Sequence, residues 1–525
     1  MTELKYTDLE LIPGKIDAAI KFYKDRQVRL SKSKKPLNED IDERIRTLQK
    51  LYWTIKDHEE DFVTAAFKDY HRSRNETINI ELVPLYNAIL ELIERVPKEI
   101  KPKTLKVGTM THRFGKTVLE KIALGTVLLI SPFNFPILLA LEPLAGAIAC
   151  GNSLIFKPSE LTPECAKLME KVCQETFEPG QVETVQGSID ETTVLLDSGK
   201  FDKIFYTGSP AVGAIIAEKA GKSLTPCVLE LGGKSPVFVT KNMPKSKLDT
   251  AVRRIFFGSF GNSGQICVAP DYVLCHESIY EEFVASCEKI LKEFFPSISS
   301  ETEYTHLIHE GAVERINTVL DSTKGQKIIA GHSEKLPARC IPPILLTNVS
   351  WDDASMQGEN FGPILPIMKY FDLDEAIDNV VSKHDTPLVQ YIFSSSTNEV
   401  DHISTRIRSG ACVVGDTIIH VVIPEAPFGG VGNSGYGSYH GSYTFRAFTH
   451  ERTVFKQPFW VDFLLNVRYP PFASSKTKIM RATMENKPNF DRNGCKTYSL
   501  KIIGLMILSS VFLGFYLTGE SNGLD

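Results

Sequence analysis

The sequence predicts an α/β protein built on a doubly wound parallel sheet, and three observations carry that expectation. Strand-like and helix-like segments alternate across 126–220, a glycine-rich turn directly follows one of those strands, and a mixed segment of the same character runs over 236–439. Parallel strands need crossover connections, so alternation at this spacing reads as successive βαβ units.

Ahead of this core, 13–100 reads as amphipathic helices, with apolar positions three to four apart across 41–54 and 82–96. The first strand is TVLLIS from Thr126, followed by a helix over 137–150 that is rich in Ala and Leu. SLIFK is the second strand. The helix after it, 162–177, has Thr162 placed as its cap and Pro163 at its first position. VETVQ is the third strand, and KIFYT the fourth, leading into a helix over 211–220. The sequence holds no short-period repeat and no low-complexity block.

The far end differs. Residues 502–517, IIGLMILSSVFLGFYL, carry no charge, and the span 498–517 would be about 30 Å long as a helix, which matches a bilayer core. Lys501 lies near one end, where it can snorkel to headgroups. A buried terminal helix is the competing reading. The run is apolar on every face and follows a polar linker bearing Lys476, Lys478 and Arg481, which favours a membrane anchor with the bulk of the protein facing the cytosol.

The chain has 525 residues, 42% hydrophobic and 23% charged, enough apolar material for two or three large cores. A formal net charge of -5 offers no basic excess for nucleic acid. The ten cysteines form no CxxC pair, so neither a zinc site nor a disulfide framework is expected, and a reducing compartment fits. No metal is expected. The first twenty residues show neither signal-peptide nor matrix-targeting character.

Five short segments bear chemistry. GSPAVG at 208–213 supplies Gly208, Ser209 and Gly213 between a strand and a helix, where backbone N–H groups can approach a pyrophosphate. The turn lacks the middle glycine of GxGxxG, and glycine-rich turns at sheet edges also serve structure alone. In KPSE, Lys157 and Glu160 can hold the hydroxyls of an adenosine ribose, the carboxylate favouring NAD over NADP; each taken singly also reads as a solvated surface residue. Cys267, in GNSGQICVAPDY, follows a polar, glycine-rich segment of the kind found in exposed catalytic loops, whereas Cys150, Cys173, Cys275 and Cys287 read as packing residues. Glu230, in LELGGKSP, lies between apolar runs that would raise its pKa and fit it as a general base; a capping or salt-bridged glutamate is an equal alternative. Asn134, in SPFNFP, can donate to an oxyanion or be a simple turn residue.

Together, FNFP, GNSLIFKPSE, FYTGSPAVG, LELGGKSP, GQICVAPDY, ENFGPILPI and PFGGVGNSGYGSYHG resemble, in order and spacing, the aldehyde dehydrogenase superfamily from about Lys15 to Phe455. GQICVAPDY and GNSGYGSYHG look like its class 3 branch; the tail and RYPP at 468–471 are similar to tail-anchored fungal fatty aldehyde (hexadecenal) dehydrogenases. The resemblance implies Cys267 as nucleophile, Glu230 as base, and an oxyanion held by the Asn134 side chain and the Cys267 N–H. It implies NAD on Lys157, Glu160 and the turn of Gly208, Ser209 and Gly213, with Glu359 and Phe361 at the nicotinamide ribose and ring. Covalent catalysis would pass through a thioester.

The resemblance also implies a layout. A Rossmann-type NAD domain would take 1–107 and 120–234, and a catalytic α/β domain 235–443. A β-hairpin oligomerisation extension, 108–119 and 444–457, would pair a homodimer, followed by a membrane-proximal linker, 458–497, and a transmembrane anchor, 498–517. There are departures. Phe133 and Phe135 stand where the family usually has Trp and Tyr; Gly415 and Asp416 replace Asn-Asp; Asp249 sits in a longer segment that reads as a surface loop. Long-chain aldehydes such as hexadecenal from sphingolipid breakdown are the expected substrates. The alternatives are an aromatic aldehyde such as 4-hydroxybenzaldehyde on the way to a ubiquinone, a CoA-acylating enzyme, which would generally lack a base at Glu230, and an idle tail-anchored scaffold. The mitochondrial outer membrane, endoplasmic reticulum, endosome and lipid droplet all suit such an anchor.

Overall fold

The computed structural model describes residues 4–107, 112, 114–333, 335–485 and 488–496, and the chain forms two compact units. The first is Met1–Lys101 with Glu120–Arg452, and the second Pro102–Leu119 with Thr453–Asp525.

Strand β1 (Lys103–Leu105), in the second unit, pairs antiparallel with β2 (Lys116–Ala123), Lys103 opposite Leu119, and β16 (Thr449–Lys456) completes a three-stranded sheet; the bounds of the units fall within β2 and β16. The segment after β16 leaves large apolar side chains in solvent, with Phe459 99% and Phe472 79% exposed. Among the described residues no helix is long and apolar enough to cross a membrane; the stretch 498–517 lies outside them.

The first unit opens with helices Ile12–Ser31, Pro36–Asp57, Glu59–Tyr70 and Val83–Glu99, where the apolar periodicity places them. A six-stranded sheet follows, ordered β15-β7-β6-β3-β4-β5. It contains β3 (Thr126–Ile130), β4 (Ser153–Lys157), β5 (Val182–Thr184), β6 (Lys203–Gly208), β7 (Cys227–Leu231) and β15 (Gly435–Tyr436), and all its pairings but the last are parallel. Its strands are apolar without alternation because both faces are covered. Val127, Leu129, Phe156, Phe205 and Val228 join a core that includes Ile55, Leu85, Ile89 and Leu144. Leu128, Ile130, Ile155, Ile204 and Leu229 point the other way, into a core with Ile12, Ile16, Ile216 and Ala220.

A seven-stranded sheet is built from β8 (Pro236–Val239), β9 (Tyr272–His276), β10 (Gln326–Ile329), β11 (Ile344–Thr347), β12 (Ile364–Tyr370), β13 (Val389–Phe393) and β14 (Ala411–Val414). Its order is β10-β11-β12-β9-β8-β13-β14, with β10 alone antiparallel to its neighbour. The segment 235–443 therefore forms its own sheet yet lends β15 to the other, with Gly435 opposite Glu230.

Two local expectations are corrected. The helix Pro163–Thr176 is not capped by Thr162, whose hydroxyl donates to the Ser159 carbonyl; the amides of Glu164 and Cys165 instead donate to the Asp69 carboxylate at 3.0 and 2.9 Å. Asp69 is about ninety-five residues away, so no local signal could announce it. Asp249 is not in a loop. It sits in the first turn of helix Leu248–Phe260, where a carboxylate suits the helix dipole, and it accepts from Ser286 and Lys289.

Candidate active site

The carboxyl ends of β3, β4, β6 and β7 open into one cleft of about 740 Å³. Its lining includes Asn134, Lys157, Glu160, Gly208, Ser209, Glu230, Cys267, Glu359 and Phe361, so nine of the ten candidate residues are brought together. Ligands of open α/β sheets bind at this edge because helix N-termini and loop amides converge there. Gly213 is the exception. A Cβ on it would lie 2.6 Å from Leu231, so it seats its helix against β7 and does not line the cleft.

A second cavity of about 460 Å³ is lined mainly by apolar groups, among them Phe135, Leu138, Leu139, Ile266, Val421 and Val422. Of all residues lining either space, Cys267 alone is shared.

The loop that presents Cys267 leaves helix Leu248–Phe260 through Gly261–Gly264, with Asn262, Ser263 and Gly264 at φ of 51, 54 and 74°. Glycine is required at 264, where a Cβ would come within 2.2 Å of the Gly362 carbonyl. Gln265 fixes the loop from one side, donating to the carbonyls of Asn262 and His306 and accepting from the Ile308 amide at 3.0 Å. The Tyr391 hydroxyl holds the Val268 carbonyl from the other. The cysteine is half-buried rather than exposed as the loop composition suggested. Burial, reinforced by the Glu359 and Glu230 carboxylates, pushes its thiol up to about 12, so the nucleophile needs a base.

Glu230, in the same cleft, is the candidate. It is 3% exposed on β7, neither carboxylate oxygen has a hydrogen-bond partner, and burial alone raises its pKa well above the usual carboxylate range. Neither the capping nor the salt-bridged alternative applies. Gly435 lies against it with φ +119°, and a Cβ there would lie 1.9 Å from the Leu229 carbonyl, so β15 can close on β7 only as glycine.

Asn134 follows β3 and precedes helix Leu138–Ala149. Its Nδ2 donates to the Gln265 carbonyl at 3.1 Å, which aims the amide at the nucleophile loop and leaves its second N–H for an oxyanion. Behind it stands a buried network the sequence did not announce. Arg72, fully buried, donates to the Asn134 carbonyl and to Asn262 Oδ1, and pairs with Glu81. The other oxygen of Glu81 accepts from the amides of Ile137 and Leu138 at 2.8 and 2.9 Å. Asn262 Nδ2 returns to the Asn134 carbonyl at 2.9 Å. One guanidinium thus ties Asn134 to the loop that carries Cys267. Arg72→Met strands the Glu81 charge, which costs about 3–5 kcal/mol, and misplaces Asn134, which lowers kcat about a hundredfold. A steady-state assay below the melting point of the variant checks it, with Arg72→Lys expected to recover part of kcat.

On the other wall, Ser209 accepts from the Val212 amide at the N-terminus of helix Pro210–Lys222, beside Gly208. Lys157 Nζ donates to Glu160 Oε2 at 3.0 Å, so the two face the cleft as a preformed pair. Glu359 lies over Gly232, where a Cβ would meet its carboxylate at 2.2 Å, and burial raises its pKa to about 8. Its neighbour Asn360 is tied to Asp271, Lys234 bonds the carbonyls of Ser355 and Gly358 at 2.8 Å, and Arg315 takes those of Asn360 and Phe361. Phe361 meets Phe133 edge-on with centroids 5.9 Å apart. A helix N-terminus at one end of the cleft and a pinned carboxylate and ring at the other suit a dinucleotide.

The family model for aldehyde dehydrogenases matches residues 23–454. The chain belongs to the aldehyde dehydrogenase family. It is 52% identical to the fatty aldehyde dehydrogenase of Saccharomyces cerevisiae over 95% of this chain and 94% of that one. It is 36% identical to aldehyde dehydrogenase family 3 member A2 of Pongo abelii, over 86% of this chain and 90% of the relative. Among solved structures, Staphylococcus aureus AldH in its substrate-bound state superposes with a TM-score of 0.83 at 36% identity, covering 90% of this chain and 99% of that chain. The protein is thus an aldehyde dehydrogenase, and the cysteine between its two cavities stands where an aldehyde and a dinucleotide can meet.

Proposed function

We propose that this aldehyde dehydrogenase oxidises long-chain aldehydes to carboxylic acids with NAD, through a thioester on Cys267. The observation that carries the reading is that Cys267 alone faces both the polar cleft and the apolar cavity. Glu230 takes the thiol proton and sulfur bonds to the carbonyl carbon; the resulting oxyanion is held by Asn134 Nδ2 and the Cys267 amide. Bound NAD would supply the hydride acceptor for this carbon, whose oxidation leaves the thioester on Cys267. Glu230 first releases the thiol proton to solvent and then accepts one from water as the water oxygen adds to the acyl carbon; the carbon–sulfur bond breaks, the sulfur takes that proton back from Glu230, and the acid departs with the thiol restored. Lys157, Glu160 and the turn at Gly208 and Ser209 would hold the adenosine half, and Glu359 and Phe361 the nicotinamide half. The Glu160 carboxylate repels a 2′-phosphate, which favours NAD over NADP.

The apolar cavity rewards chain length, since burial is worth about 0.8 kcal/mol per methylene. The fatty aldehyde named for the Saccharomyces cerevisiae relative fits that chemistry. The reading extends to the second unit. The 498–517 stretch anchors the protein to a membrane with the bulk in the cytosol, the exposed Phe459 and Phe472 rest at the lipid interface, and the β1–β2–β16 sheet pairs two copies. The mitochondrial outer membrane, endoplasmic reticulum, endosome and lipid droplet are candidate sites for that anchor.

The test is reduced-cofactor production by purified protein truncated before Tyr498. Substrates are hexadecenal and 4-hydroxybenzaldehyde, each with NAD and with NADP, without CoA. Hexadecenal turnover with NAD and release of free acid is the expected result. Turnover of the aromatic aldehyde alone would remove the long-chain assignment and keep the thioester; a requirement for CoA would remove hydrolysis. Full-length protein should sediment with membranes, and the truncated form should not.

A further inference from the structure

Charge is divided unevenly between the two units. The residues of the second, 102–119 and 453–525, carry thirteen Lys and Arg against five Asp and Glu, a formal +8 in a chain whose total is -5. The first unit therefore bears a formal -13. No acid occurs in 102–119. There, exposed Lys106 follows Leu105, and exposed Lys116 precedes Thr117, the partner of Leu105 across β1 and β2, so two like charges come to one end of the pair. Like charges opposite each other weaken a strand pair, a cost that an outside anion lying against both removes. Phe114, next to that end, sets its ring edge-on to Trp460 with centroids 5.3 Å apart, which joins β1–β2 to the segment after β16. That segment leaves Phe459, Trp460, Phe463 and Phe472 in solvent, and Ile479 and Met484 are exposed on helix Ser474–Met484. The same helix carries Lys476, Lys478 and Arg481 and no acid. Two ion pairs, Arg468 with Asp462 at 2.8 Å and Arg481 with Glu485 at 3.7 Å, leave the positive excess in place.

Large apolar side chains gathered in solvent mark an interaction site, and cations interleaved with them fit a leaflet whose anionic headgroups overlie an apolar interior. We propose that the second unit binds the anionic phospholipids of a cytosolic leaflet, with Lys106, Lys116, Lys478 and Arg481 meeting the headgroups while the aromatic side chains enter the interface. This rests on the reading of 498–517 as a membrane anchor and adds a choice among membranes by charge, which an apolar span cannot make. Continuity with the anchor selects the occupant. Met484 is fourteen positions from Tyr498, a tether of at most about 50 Å, so the basic segment stays beside whatever surface the anchor enters. Cytosolic leaflets carry a negative surface potential, which attracts the second unit and repels the first. Each Lys or Arg near such a surface is worth about fivefold in affinity. The attraction is screened at physiological salt, so the anchor and not this surface holds the protein down.

The experiment follows amide hydrogen exchange across 459–484 in the full chain, inserted into vesicles of phosphatidylcholine alone or of phosphatidylcholine with phosphatidylserine. Exchange should be slower by about tenfold or more in the anionic vesicles, as two or more engaged cations require. The difference should vanish between about 0.01 and 1 M salt, where the screening length falls from about 30 to 3 Å. Lys476→Glu, Lys478→Glu and Arg481→Glu together should abolish it, while Lys476→Arg, Lys478→Arg and Arg481→Lys keep it; turnover of a short alkanal in each preparation reports that the variant folds. Equal exchange in both vesicles, or a difference that salt leaves unchanged, would overturn the proposal whether or not the variants fold. Slowing by an RNA duplex but not by anionic vesicles would overturn it in favour of nucleic acid. A vesicle-free dimer that exposes 459–484 on dissociating in 1 M salt would overturn it in favour of a second copy, whose first unit is acidic. Each of these leaves the anchor standing; a full chain that floats with neither vesicle would overturn both readings at once.

Discussion

Cys267→Ala is expected to lower reduced-cofactor formation with every aldehyde by about four orders of magnitude or more, the loss seen when a covalent nucleophile is deleted. The size follows from the architecture. Cys267 alone touches both cavities, and no other thiol can substitute. Cys150, Cys165, Cys173, Cys227, Cys275, Cys287 and Cys340 are buried in the cores, and burial raises the pKa of each. Cys412 and Cys495 are exposed and line neither space. Cofactor affinity should change little, because Lys157, Glu160, Gly208 and Ser209 reach the cleft from other strands. Steady-state rates and a cofactor titration on the same preparation separate the two effects. Retention of even a hundredth of the activity would sink the thioester.

What was legible in the chain divides along a physical line. The sheet could be read because a parallel strand covered on both faces must be apolar throughout, as TVLLI and SLIFK are, and those strands stand where expected. The groups facing the cleft could be read because each carries its chemistry in a short motif, from KPSE to ENFGP. The groups holding them could not. Arg72 meets Asn262 across 190 positions and Asn134 across 62, and no local composition encodes such pairings. Glu230, whose carboxylate is unpartnered, pairs with β15, a two-residue strand more than two hundred positions further along the chain. Gly213 illustrates the converse. It belongs to a motif associated with phosphate, but its missing side chain serves the packing of helix on strand. Motif reading found groups that face the cleft; the groups that hold them in place are set by tertiary structure.

Glu230→Gln is the second large effect, and it separates the steps that a carboxylate performs. In the steady state the variant should turn over about 10²–10⁴-fold more slowly, since no base remains to activate water. A rapid-mixing experiment should show one equivalent of NADH per active site before that slow phase, because hydride loss precedes hydrolysis. The burst should itself be slower than in the unmodified enzyme at neutral pH and recover as the pH rises, since the Cys267 thiol, pushed up to about 12, has lost its proton acceptor. The rate of the unmodified enzyme should climb with pH along an acid limb set by the raised pKa of Glu230, and the variant should lack that limb. Stability gives an independent reading. Because burial raises the pKa of Glu230, the folded state keeps a proton that the unfolded chain releases above about 4.3. Stability of the unmodified enzyme relative to the variant therefore falls as pH rises from there through the raised pKa, then levels off. The variant should melt progressively higher than the unmodified enzyme over that range. A melting difference that does not change with pH would mean that Glu230 ionises as freely in the folded protein as in the unfolded chain, and its assignment as the base would lose its physical ground.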